Sequence, residues 1–241
     1  MSGALQAPAD PQQRVEALRR QPLLAGLPEP ALCRVAEQAR WRALAPGELV
    51  VDTGDASAEV YFVTAGAVRV VLRSAGGQEL ILNDLGAGAL FGELAAIDGI
   101  SRSASVTALS RAQLCSVRGP VFLDLVLHNP TAGLHLLRLL AARVRAKDQL
   151  RLEAAAFSAR QRIVAELLRL SAARPGGEAR ISPPPPQHEL AARLSLRRET
   201  VSREVAKLAR EGLLTVQRGA LVLHRPEALR AELEQATRGG A

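Results

Sequence analysis

From Trp41 to Val117 the sequence is cut into short β-branched runs by Gly47, Gly54, Gly66, Gly76-Gly77, Gly86 and Gly88. The runs are Leu49-Val50-Val51, Tyr61-Phe62-Val63, Val68 to Leu72, Leu80-Ile81-Leu82 and Val106-Thr107. Pieces this short, punctuated this regularly, predict an antiparallel roll or barrel. The Gly76-Gly77 pair between two of them reads as a hairpin turn.

The period changes on either side of this region. Pro11 to Pro30 reads as short helical pieces broken by prolines. From Thr131 to Phe157 there is no proline, and Leu134, Leu137, Ala141 and Val144 recur at the spacing of one helical stripe. Leu136, Leu140, Leu150 and Phe157 form a second stripe beside it. Two apolar stripes imply two partners, the helix's own β-domain and a second helix, which a symmetric dimer supplies most simply. Ser158 suits the cap of a further helix through Leu170, which Arg174-Pro175-Gly176-Gly177 ends. Pro183 to Pro186 is an extended spacer. Two helices, Gln187 to Leu194 and Arg197 to Arg210, then flank a tight turn at Ser195-Leu196. Leu213 to Val216 and Leu221 to Leu223 flank Arg218-Gly219 as a hairpin, which completes a winged helix-turn-helix.

Charge is divided in the same way. Residues 1–150 carry 15 Lys and Arg against 14 Asp and Glu, whereas residues 151–241 carry 16 against 10. The basic excess therefore sits in the helical C-terminal part, which points to a polyanion. With aromatics at only 2%, a stacking platform for single strands is excluded in favour of duplex DNA. Cys33 and Cys115 are too few for a disulfide framework or a four-thiolate metal site, and read as core fillers. His128, His135, His188 and His224 share no metal-ligand spacing, so no metal is expected. Met1 to Asp10 shows no signal-peptide pattern, and Val121 to Leu140 is too interrupted to span a membrane. A cytoplasmic protein without a membrane partner is the expectation.

Two motifs carry chemistry. In Phe91-Gly92-Glu93-Leu94, a glycine before a helical turn exposes backbone N–H groups to a phosphate. Arg102, in Arg102-Ser103-Ala104, offers a planar cation to the same anion, and Glu93 an acceptor for a sugar hydroxyl. In Arg197-Arg198-Glu199-Thr200-Val201-Ser202-Arg203, Arg198 or Glu199 and Arg203 lie about one turn apart. Arginine can bond guanine bidentately and glutamate can accept from the cytosine amino group.

The string from Leu82-Asn83 through Gly86 and Gly88 to Phe91-Gly92-Glu93-Leu94 and Arg102-Ser103-Ala104 resembles the phosphate-binding cassette of the cyclic AMP receptor protein (CRP/FNR) family. Gly54, Tyr61-Phe62-Val63 and Gly66-Ala67-Val68 look like that family's first strands, and the order of parts matches over almost the whole chain. The resemblance implies an α+β architecture: an N-terminal β-roll of cyclic-nucleotide-binding type (1–130), a dimerisation helix (131–157) and a winged helix-turn-helix (158–241). It implies ligand contacts from Val70, Leu72, Leu82, Asn83, Gly92, Glu93, Leu94, Arg102, Ser103 and Arg143. Base readers would be Arg198, Glu199 and Arg203, with Gln187, Arg197 and Thr200 at the backbone. Many members have Gly in the turn and Ser as the helix cap, where this chain has Ser195 and Arg197.

Members that bind cyclic AMP place a Thr-Ser pair on the long helix to meet adenine, and here Lys147-Asp148 falls at that pair. Asp148 either reads a nucleobase, or is paired with the partner subunit's Lys147, or marks where the dimer seam frays. The function expected is a homodimeric DNA-binding transcription regulator acting on a palindromic site, with RNA polymerase as a partner and cyclic GMP or cyclic AMP as effector. The alternative within the family senses redox state, haem or no small ligand. An enzyme is disfavoured because no nucleophile–base–orienter set is readable. A kinase regulatory subunit is disfavoured by the basic winged part.

Overall fold

The computed structural model describes Pro8, residues 10–73, Gly76, residues 79–174 and residues 177–239, with side chains as far as residue 236. Contacts divide the chain between Arg143 and Val144 into two units.

The first unit opens with helices α1 (Pro11–Arg19) and α2 (Glu29–Gln38). Strands β1 (Arg40–Leu44), β2 (Leu49–Val51), β3 (Val60–Ala65), β4 (Ala67–Arg73), β5 (Glu79–Gly86) and β6 (Leu90–Phe91) follow. A short helix α3 (Glu93–Asp98), strands β7 (Ser105–Ala108) and β8 (Ala112–Val117) and helix α4 (Gly119–His128) complete the roll. The strands form two antiparallel sheets ordered β1-β8-β3-β6 and β2-β7-β4-β5, the antiparallel roll that the glycine punctuation predicts.

Alternation along β3 explains how the layers stack. Tyr61 and Val63 face the inside of the roll with Leu114 and Phe91, whereas Val60 and Phe62 face the helices. On that outer face Leu18, Leu24, Leu32, Phe122 and Leu136 close a second core. The strand is buried on both faces, so its residues read as a continuous apolar run. Between β3 and β4, Gly66 has φ +74 and a Cβ there would collide with the Arg111 carbonyl. Of the expected Gly76-Gly77 turn, Gly76 is in a turn and Gly77 lies outside the described residues.

Helix α5 (Pro130–Ala156) runs from the first unit into the second. Leu136 is buried and Leu139 and Leu140 pack against the helix-side core. The expected second stripe extends no further as a buried surface. Leu150 is exposed on the single chain and Phe157 is half-buried. Leu134, Leu137 and Val144, from the first stripe, are all exposed on the single chain.

The second unit continues with α6 (Ala159–Leu170), β9 (Ala172–Ala173), β10 (Ala179–Ile181), α7 (Gln187–Leu194) and α8 (Arg198–Arg210). Strands β11 (Leu214–Gln217) and β12 (Ala220–Leu223) and helix α9 (Pro226–Gly239) end it. Ser158 caps α6 in a reciprocal box with Gln161. The helix ends at Leu170, the end that the sequence predicts. Beyond it, Arg174 donates its N–H to the Glu178 carbonyl at 2.9 Å, next to the antiparallel pairing of β9 with β10; Pro175 and Gly176 lie outside the described residues. Ile163, Leu167, Leu190, Val201, Leu208 and Leu223 form this unit's core.

Candidate functional sites

The first site grows out of the end of β6. Gly92 takes φ +85 to turn the chain into α3, and a Cβ there would lie 2.5 Å from Arg102 Nη1 and 2.7 Å from the Glu59 carbonyl. That close approach requires glycine. Glu93, next in sequence, has a side chain only 3% exposed. Arg143 on α5 donates from Nη1 to Glu93 Oε1 at 2.5 Å and from Nη2 to the Leu90 carbonyl at 2.7 Å. Among the described residues Glu93 Oε2 is buried with no hydrogen-bond partner.

Arg102 is likewise enclosed. Its Nε donates to Ser57 Oγ at 3.0 Å, Nη1 to the Gly92 carbonyl at 3.0 Å and Nη2 to the Glu59 carbonyl at 2.7 Å. The guanidinium lies 5.7 Å from the centre of the Tyr61 ring, and Tyr61 stacks on Phe91 with ring centres 4.8 Å apart. Burial and then the Glu59 carboxylate push the Tyr61 hydroxyl above its ordinary pKa. The loop facing Arg102 is fixed by reciprocal backbone bonds, Gly54 N–H to the Arg102 carbonyl and Arg102 N–H to the Asp55 carbonyl, both 2.8 Å. Buried Ser105 donates to Asp52 and, with the Thr53 N–H, holds that carboxyl below its usual range.

This geometry brings Gly92, Glu93 and Arg102 together as expected, with Arg143 bound to the same group. Ser103 and Leu94 are exposed beside them. Val70, Leu72, Leu82 and Asn83 lie on β4 and β5, in the sheet opposite β6, with Val70 directly across from Asn83. Lys147 and Asp148 are exposed on α5, beyond the division between the units. Ser57 and Glu59 contact Arg102 without having been singled out from the sequence, and Tyr61, which the sequence marks only as part of a strand, lies beside them.

An anionic phosphodiester fits here. Arg102 keeps one free N–H on each terminal nitrogen once its three bonds are counted. The orphaned Glu93 Oε2 can accept from a ligand hydroxyl, which would meet the cost of burying an unpaired acceptor.

The second site is the α7–α8 pair. Ser195 turns between the helices at φ 51 and ψ 42, and Arg162 donates to the Leu194 carbonyl at the end of α7. Helix α8 begins after Arg197, which gives it no side-chain cap. Arg197, Arg198, Glu199 and Arg203 are exposed, whereas Thr200 and Gln187 are half-buried. Arg203 has a looser neighbour in Glu204 at 3.8 Å.

The same unit carries a cluster of paired charges in which the carboxylates are buried and Arg169 is partly exposed. Arg169 Nη1 contacts both oxygens of Glu153 at 2.9 Å and its Nε contacts Glu166 at 3.0 Å, while Arg193 lies 3.8 Å from Glu166. Burial acts against the charge on Arg169, but the two carboxylates outweigh it and raise the pKa. No group of three His, Cys, Asp or Glu side chains among the described residues is placed to hold a metal ion. No helix among them is long and apolar enough to cross a membrane.

Comparison with known proteins gives a family match for each of the two regions. Residues 41–129 match the cyclic nucleotide-binding domain and residues 161–232 the Crp-like helix-turn-helix domain. The chain is 36% identical over 176 residues to the cyclic AMP receptor protein of Thermus thermophilus, covering 73% of this chain and 79% of that one. It is 24% identical over 217 residues to a CRP-like cAMP-activated global transcriptional regulator of Mycobacterium tuberculosis, covering 89% and 97%. The solved structure of a c-di-GMP-responsive global regulator from Xanthomonas campestris shares the fold, with a TM-score of 0.69 at 22% identity, covering 82% and 99%.

Proposed function

Because the chain belongs to the cyclic AMP receptor protein (CRP/FNR) family of transcription regulators, we propose that it works as a homodimer switched by a purine cyclic mononucleotide. The family assignment itself makes it a regulator with a cyclic-nucleotide-binding domain and a DNA-binding helix-turn-helix domain, and not an enzyme. The observation that carries the effector is the pairing of an enclosed Arg102 with the unpartnered Glu93 Oε2. Arg102 and Ser103 would hold the cyclic phosphate, and Glu93 the ribose hydroxyl. Val70, Leu72, Leu82, Asn83 and Leu94 would line the base and sugar.

Dimerisation rests on Leu134, Leu137 and Val144, an apolar stripe with no cover on the single chain. Pairing of two such stripes would bury it and present two copies of α8 to DNA, about 34 Å apart for successive major grooves. A ligand that binds the DNA-competent conformer more tightly shifts the population by that difference in affinity. RNA polymerase is the partner a DNA-bound regulator of this family would meet.

Asp148 favours cyclic GMP. Guanine presents two donors, N1–H and the N2 amino group, which one carboxylate accepts together, whereas adenine offers it a lone pair at N1 and a single donor at N6. Ser103 can add a hydroxyl to a guanine amino group in the syn nucleotide. The test is calorimetry with cyclic AMP, cyclic GMP and cyclic di-GMP on wild type and Asp148→Ser, followed by DNA binding with and without the tightest ligand. Cyclic GMP should bind wild type at least as well as cyclic AMP, and Asp148→Ser should reverse that. A tenfold preference of wild type for cyclic AMP, unchanged in the variant, makes Asp148 a dimer-seam ion-pair residue. Absence of binding by all three nucleotides overturns the effector reading.

A further inference from the structure

Arg102 is surrounded unequally, and the asymmetry centres on Glu59. Three of the five guanidinium N–H groups are committed to Ser57, Gly92 and Glu59. The two that remain lie one on each terminal nitrogen. Glu59 Oε2 stands 3.8 Å from Nη2, the nitrogen whose other proton goes to the Glu59 carbonyl. That distance is too long for a hydrogen bond, so the carboxylate acts on Arg102 only through charge.

We infer that Glu59 sets the strength of phosphate capture: its carbonyl aims Arg102 while its carboxylate competes with the incoming phosphate for the same guanidinium. The inference rests on the cyclic-nucleotide reading above and adds a tuning residue to that site. A negative charge this close to the receiving cation both lowers its attraction for a second anion and repels that anion directly. The same carboxylate helps to raise the pKa of the Tyr61 hydroxyl, whose ring centre lies 5.7 Å from the Arg102 guanidinium. The carboxylate also has somewhere to retreat. Glu59 lines a cavity of about 260 Å³ with Gln38, Arg40, Ser116 and Arg118, two exposed arginines for which no ion pair is formed among the described residues. A phosphate arriving at Arg102 can drive the Glu59 side chain toward them.

Ser57 provides the opposite control. It holds Nε by a neutral hydrogen bond and carries no charge, so it aims the guanidinium without competing. Removal of the two side chains should therefore move affinity in opposite directions, which general loosening of the site would not do.

The experiment is calorimetry of the full-length chain with cyclic AMP and with cyclic GMP. Glu59→Gln keeps the carbonyl and removes the charge, and should bind the nucleotides roughly fivefold more tightly, the worth of one close charge screened as in bulk water, since the Glu59 side chain is one-third exposed. Ser57→Ala should bind them several-fold more weakly. In Arg40→Gln/Arg118→Gln, binding should weaken when Glu59 is present and stay unchanged when it is Gln. Melting temperatures establish that each variant is folded, and Glu59→Ala repeats the charge removal should Glu59→Gln melt early. Equal or weaker binding by both folded Glu59 variants overturns the inference while leaving the site intact. Failure of wild type to bind either nucleotide overturns the site and the inference together.

Discussion

Glu93 and Arg143 meet at 2.5 Å, and Arg143 uses its second terminal nitrogen to hold the carbonyl of Leu90, three residues before its partner. One arginine from the long helix thus fixes both the strand that enters the cassette and the carboxylate that begins it. Arg143→Ala leaves a nearly enclosed carboxylate without its cation. We expect a loss of about 2–3 kcal/mol in urea unfolding, below the range for fully enclosed pairs because Arg143 is 30% exposed. Arg143→Lys should recover only part, since an ammonium cannot hold Glu93 and the Leu90 carbonyl in the same fork.

The other Glu93 oxygen predicts a ligand effect. A 2′-deoxy cyclic nucleotide cannot donate to Glu93 Oε2 and should bind about 10- to 100-fold more weakly than its ribose parent. Equal affinities in parallel titrations would place the sugar elsewhere.

Gly92→Ala should abolish nucleotide binding as fully as Arg102→Ala. The added methyl would lie 2.5 Å from Arg102 Nη1 and 2.7 Å from backbone, in a left-handed conformation. Calorimetry on the folded variant checks this, and retained binding would show that the Arg102–Gly92 bond is dispensable.

Ser195 occupies the left-handed region, and Arg197 leaves α8 uncapped. Ser195→Gly should stabilise the winged unit by roughly 0.5–1 kcal/mol, part of the conformational gain being offset by the freer unfolded chain. Arg197→Ser should add about 1 kcal/mol through a new cap. Thermal unfolding of each variant reads both effects.

On DNA, Glu199→Ala should relax selection at one cytosine-bearing pair, with about 1–3 kcal/mol of discrimination lost, while Arg203→Ala relaxes a guanine. Sequencing of duplexes selected by wild type should return a symmetric site, and the two variants should each blur one position per half-site. An asymmetric wild-type site would contradict the dimeric reader.

Cys115 gives a pH effect. Burial pushes its thiol from 9.0 up to about 12. The native state therefore keeps a proton that the unfolded chain releases, so stability is full below about pH 9 and falls as pH rises toward 12, by about 1.4 kcal/mol per unit at most. At pH 8 a thiol reagent should label half-buried Cys33 in the native chain and both cysteines only after unfolding.

Much of this was legible in the sequence, for reasons that particular residues make plain. Glycine marks the β3–β4 turn at Gly66 and the start of the phosphate motif at Gly92 because a Cβ at either position would collide with its neighbours. Leu136 and Leu150 looked alike because periodicity registers an apolar face and not what covers it. Ser57 and Glu59 escaped notice since they reach Arg102 across 45 and 43 residues, and Glu59 positions it through a backbone carbonyl that every residue possesses.

The ion-paired cluster around Arg169 also decides which charges a DNA duplex can feel. Arg169 and Arg193 face Glu153 and Glu166, and Arg160 faces Glu211 and Glu232, so these arginines carry counter-ions built into the protein. They displace no cation from the phosphate backbone. Arg197, Arg198, Arg203, Lys207, Arg210 and Arg218 stand exposed, and it is these that would exchange with the ion atmosphere of DNA. The slope of affinity against salt will therefore be set by this exposed set and not by the net charge of the C-terminal half.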